Sequence, residues 1–163
     1  MALLLYVVLF GAGVLLTSTE DQGSFSNLSD TYKKGVEQAL QQVNAHEGIQ
    51  QYFLFFKTIT QSQIEAGFGV TYIYHNFYLK ATKCKKGTEN ADTTKCAFRN
   101  DRPLIDCAIC YKTYAGEIEA EPKPYVNCVH KPTLTEDMKT TRMDHCNNMG
   151  YGSGSPTLLA TKS

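Results

Sequence analysis

The chain has 163 residues, 42% of them hydrophobic, and its 16 Lys plus Arg balance its 16 Asp plus Glu. Zero formal charge excludes a global field for nucleic acid, and the length bounds the fold to one domain. The 6 cysteines, none of them before Cys84, read as the disulfide framework of a secreted protein, with no nucleic-acid partner expected.

The uncharged run Ala2 to Leu16 is short for a membrane span, which needs roughly 20 residues. It suits the core of a signal peptide over residues 1–19, cleaved near the small residues Thr17, Ser18 and Thr19. The mature chain is therefore expected to be extracellular and not membrane-spanning. Asn27-Leu28-Ser29 is a glycosylation sequon, which makes Asn27 a candidate glycan site.

Residues 30–46 read as an amphipathic helix, with Tyr32, Val36, Ala39, Leu40 and Val43 in one stripe. Ser29 or Asp30 is placed to cap it, and Gly48 to stop it. Gly35 inside it costs about 1 kcal/mol against Ala and marks either close approach to a sheet or a tolerated defect. Gln51 to Thr60 is aromatic and β-branched, hence a strand; Gln63 to Gly69 reads as a loop. Val70 to Lys80 is a second strand, whose Tyr72, Tyr74 and Tyr78 are expected to cover the helix.

The polar stretch Lys85 to Asp101 reads as a loop. The basic segment from Lys80 to Arg102 carries Lys83, Lys85, Lys86, Lys95 and Arg99 against Glu89, Asp92 and Asp101. It reads as a solvated face with its own counter-charges; the partner it would suit is a sulfated glycan or an anionic surface. Ile105 to Tyr114 and Tyr125 to His130 are the third and fourth strands, with Pro122 and Pro124 in their connection. Thr135 to Cys146 reads as one more short helix, and residues 147–163 as a flexible Gly- and Ser-rich tail. A helix followed by consecutive strands makes residues 20–146 an α+β domain, an antiparallel meander packed on a helix.

Six cysteines allow 15 pairings. A bridge from Cys84 to Cys96 would close a local loop. Cys107 and Cys110 lie three apart on one strand, so their side chains face opposite ways and each needs a different partner. Cys128 and Cys146 remain for them. Zinc would require a second ligand pair at tight spacing, and neither His130 nor His145 is so placed. A redox Cys-x-x-Cys needs a helix N-terminus, whereas this one sits on a strand. Asp144-His145 near Ser153 lacks a nucleophile elbow. Neither a cofactor, a metal nor catalysis is expected.

The helix YKKGVEQALQQVNA and the strand GVTYIYHNFYLKATKC resemble the cystatin/cathelicidin superfamily. Six cysteines rather than four, with Cys107-Ala-Ile-Cys110 among them, resemble the chemerins within it, over residues 25–146. The resemblance implies a cystatin-like fold: one N-terminal helix on a four-stranded antiparallel sheet, with bridges Cys84–Cys96, Cys107–Cys128 and Cys110–Cys146. It also implies an adipokine or chemoattractant precursor, acting in chemotaxis, inflammation and adipocyte differentiation. Its partners would be a processing protease, which trims the C-terminus, and a chemokine-like G-protein-coupled receptor. Tyr151, Leu158 and Leu159, large side chains of the tail, are the expected receptor contacts; an aromatic Phe-Pro-Gly segment typical of chemerins is absent. The same superfamily implies two alternatives. One is inhibition of cysteine proteases, with Gln63-Ile64-Glu65-Ala66-Gly67 at the position of the inhibitory loop and Gly23 as the N-terminal glycine. Glu65 would place a carboxylate in an apolar cleft, and the chain has no Trp for the second wedge. The other is cathelicidin-like host defence through the basic 80–102 segment.

Overall fold

The computed structural model describes residues 23–87 and 92–152. The expected signal peptide, residues 1–19, lies outside them, as do Ser153, Leu158 and Leu159. A one-turn helix α1 (Gly23–Ser26) leads into α2 (Asp30–Ala45), followed by β1 (Gln51–Gly67), β2 (Val70–Lys85), β3 (Ile105–Tyr114), β4 (Glu117–Ile118) and β5 (Tyr125–His130). The last element is α3 (Glu136–Gly152). The strands form one antiparallel sheet in the order β1-β2-β3, with β4 and β5 both paired to the far edge of β3. The class is thus α+β, with a helix ahead of the sheet and a second helix after it. Among the described residues no helix is long and apolar enough to cross a membrane.

The inner face of the sheet packs on α2. The helix buries Tyr32, Gly35, Val36, Ala39 and Val43, the stripe its periodicity predicts apart from Leu40, which is only partly buried. Opposite lie Phe53, Phe55, Ile73, Phe77, Leu79, Ile105, Cys107, Ile109 and Tyr111. Gly35 is explained by Tyr111, since a Cβ there would stand 2.6 Å from the phenol oxygen. That hydroxyl donates to the Thr31 carbonyl at 2.7 Å and locks the strand to the first turn of α2. Ser29 occupies the N-cap position with extended backbone, yet its side chain makes no capping hydrogen bond.

Two expectations are corrected. The even-numbered tyrosines do not face α2: Ile73, His75, Phe77 and Leu79 are the buried set, while Tyr72, Tyr74 and Tyr78 are half-buried on the other face. Period-two alternation separates two faces without saying which is inner, and α3 covers the outer one. The first hairpin is also longer than its composition suggests. Residues 61–65 are polar or exposed, but they stay in register with β2, Gln61 opposite His75 and Glu65 opposite Thr71. The strands turn through Phe68 and Gly69, both with positive φ (53° and 76°), the backbone a tight two-residue hairpin demands. At the other end, α3 runs six residues beyond Cys146, through the start of the expected tail.

Candidate functional site

Two surfaces stand out, both built from the outer face and the β1–β2 hairpin. The first is the seat of α3. Cys110 lies opposite Tyr74 and points outward, where it bridges to Cys146 of α3 with Cα atoms 5.7 Å apart. Cys107 lies opposite Phe77 and points inward, bridging across the sheet to its direct neighbour Cys128. Cys84 and Cys96 fasten the segment after β2 back onto that strand's end, where Thr82 also pairs with Phe98. These three bridges are the set the resemblance implies, and they leave no free cysteine among the described residues.

A polar clamp reinforces the Cys110–Cys146 bridge. Arg142, 3% exposed, reaches from α3 to β3 and β5. It donates to Asp106 Oδ1 at 2.6 Å, Asn127 Oδ1 at 2.8 Å, the Asp106 carbonyl at 3.0 Å and the Asn127 carbonyl at 3.2 Å. Asn76 donates to the same Asp106 oxygen at 2.8 Å. A buried ion pair is tolerable only when hydrogen bonds satisfy its remaining donors and acceptors, and this network does so. His145 stacks on Tyr125 with ring centroids 4.0 Å apart. The packing leaves a cavity of about 360 Å³ beneath the end of α3, lined by Ile64, Tyr72, Tyr74, Met143 and Met149. Burial pushes the Tyr74 phenol up, with Asp106 adding and Arg142 opposing.

The second surface is the hairpin tip. Phe68 is 100% exposed; Tyr114 (55%) lies beside the turn, opposite Val70, and Ile64 (66%) is further down β1, opposite Tyr72. Gln63 to Gly67 form the end of β1, and Glu65 is exposed. Gly23 is not brought to this tip. It begins α1, whose Phe25 packs on Phe55, with ring centroids 5.8 Å apart, well down β1 from the turn.

Asn27 is exposed between α1 and α2, open to a glycan. The backbone of Tyr151 forms part of the last turn of α3. Leu158 and Leu159 cannot be placed relative to either surface, being outside the described residues. Within the basic segment Lys95 pairs with Asp92 at 3.5 Å and Arg99 with Asp101 at 2.5 Å, while Lys86 donates to the His46 carbonyl at 3.0 Å. Among the described residues no cluster of three or more His, Cys, Asp or Glu could hold a metal.

Sequence reasoning missed Arg142. A single arginine in a polar helix carries no signal until β3 places Asp106 beneath it. His75 is fully buried between Tyr32, Phe55 and Phe77, its Nε2 2.9 Å from the Thr58 hydroxyl, and burial holds its pKa down at about 4. Such a ring is a neutral core residue at physiological pH and offers no base to a substrate.

Comparison with known proteins names no relative: no protein-family model matches the chain, and no curated protein matches it.

Proposed function

We propose that this chain is a secreted, chemerin-like signalling precursor that acts by binding. Its C-terminus, trimmed by a protease, would engage a chemokine-like G-protein-coupled receptor, with roles in chemotaxis, inflammation and adipocyte differentiation. One observation carries the reading: α3 is fixed to the outer sheet face by the Cys110–Cys146 bridge and by the buried Arg142 network. α3, which ends at Gly152, is thus part of a disulfide-tied scaffold. A ligand peptide carried on an already ordered scaffold would bind a receptor at the cost of ordering the peptide alone. Three disulfides suit the oxidising space outside the cell. The test is to expose the secreted protein to serine proteases, define each new C-terminus by mass spectrometry and measure leukocyte migration. Migration toward a trimmed form supports the proposal; none toward any form removes it.

The hairpin tip favours a second reading, inhibition of papain-like proteases. A fully exposed Phe68 at the turn, with an exposed Ile64 on the strand leading to it, is apolar surface of the kind a protease cleft accepts. Glu65→Val should tighten inhibition if the tip inserts, and no inhibition by either form would end this reading.

A further inference from the structure

We propose that the outer sheet face, at the end remote from the hairpin tip, is a binding surface for a sulfated glycan, contacted by Lys57 and Lys131 and reinforced by Lys80. The three lysines come from β1, from β2 and from the turn that follows β5, so only the fold assembles them. Each ammonium lies over aromatic rings. Lys57 Nζ is 5.7 Å from the Phe56 centroid and 5.8 Å from that of Tyr78. Lys80 Nζ is 4.5 Å from Phe56 and 5.5 Å from Phe98, and Lys131 Nζ is 5.0 Å from Tyr78.

A ring face attracts a cation through its quadrupole without cancelling the charge. Held in this way, the exposed Lys57 and Lys131 ammonium groups are positioned yet remain available to an anion. Lys57 and Lys131 are exposed, and neither has a carboxylate within ion-pair distance among the described residues. Lys80 is only 7% exposed, so it adds positive potential from beneath rather than direct contact. The acids nearby are already engaged, Asp106 by Arg142 at 2.6 Å and Glu136 by Lys139 at 2.7 Å. Lys57 and Lys131 therefore place positive charge on this face with no carboxylate paired to them among the described residues.

The complementary partner bears fixed negative charges along a polar chain, as sulfated glycans do. An anionic membrane fits less well. Phe56, Tyr78 and Phe98 lie half-buried under the lysines and offer no wedge. The exposed Phe68 is at the far end of β1, about ten residues from Lys57, or roughly 33 Å.

The probe is a size-defined heparin oligosaccharide, titrated into the full mature chain at low and at physiological salt. Lys57→Gln with Lys131→Gln should weaken binding about tenfold at low salt and flatten its salt dependence. Lys57→Arg with Lys131→Arg should retain it, as should Lys86→Gln with Lys95→Gln, and thermal melts should show all three variants folded. The proposal is overturned by undiminished binding of the Gln pair, by equal loss in the Lys86/Lys95 variant, or by equal affinity for desulfated polymer. It is overturned too if vesicles of anionic phospholipid are bound and heparin is not. Because the readout is direct binding, it stands or falls separately from receptor activation.

Discussion

Replacing Gly35 with Ala should destabilise the protein, although Ala is the better helix former. The exchange gains about 1 kcal/mol from helix propensity. Against this, the new Cβ would stand 2.6 Å from Tyr111 Oη, 2.7 Å from Cε1 and 2.9 Å from Cζ. Tyr111 is fully buried, and its hydroxyl is anchored at 2.7 Å to Thr31. For the ring to give way, that hydrogen bond must stretch, at a cost of about 1–3 kcal/mol for a buried donor left unpaired. Overpacking adds roughly 1–3 kcal/mol. The net expectation is a loss of about 1–5 kcal/mol, read as a lower urea midpoint with unchanged slope. Tyr111→Leu supplies the control. In that background the clash is gone, so Gly35→Ala should become neutral or stabilising, giving a coupling energy of opposite sign to the single change. A Gly35→Ala protein more stable than the parent, with Tyr111 intact, would refute the close-approach account.

Two further predictions concern charged and titratable groups in the fold. Arg142→Leu leaves Asp106 buried without its cation and should cost about 3–5 kcal/mol, whereas Arg142→Leu with Asp106→Leu should recover much of it; chemical denaturation of both decides. His75 is neutral when folded, its pKa lowered by burial to about 4, while the unfolded chain protonates near 6.5. Its contribution is therefore complete above pH about 6.5 and is lost as pH falls toward 4, by roughly 3 kcal/mol in all. The stability difference between the parent and His75→Phe should follow that window, and a pH-independent difference would contradict it.

Much of the scaffold was legible in the sequence because its signals are local. The stripe on α2 has helical period, the aromatic strands declare themselves by composition, and odd spacing sends Cys107 and Cys110 to opposite faces. Gly35 was legible as an oddity, and Tyr111 supplied its reason. What could not be read depends on long-range pairing. Residues 63–67 read as part of a loop and are held as strand only by β2. The tyrosines of β2 alternate correctly, but which face is inner is decided by Ile73, Phe77 and Leu79 meeting α2. Arg142 and the Lys57–Tyr78–Lys131 array join residues from separate strands and turns, a juxtaposition no window of sequence contains.

The account's central claim is that the disulfide-tied domain presents a C-terminal ligand. The most direct measurement is calcium flux in cells bearing a chemokine-like G-protein-coupled receptor, stimulated with the mature chain and with forms shortened one residue at a time from Ser163 back to Ser153. The account predicts that at least one shortened form triggers receptor-dependent flux at a concentration where the full chain is silent. Silence of every form, with the three bridges intact by mass spectrometry, would contradict it.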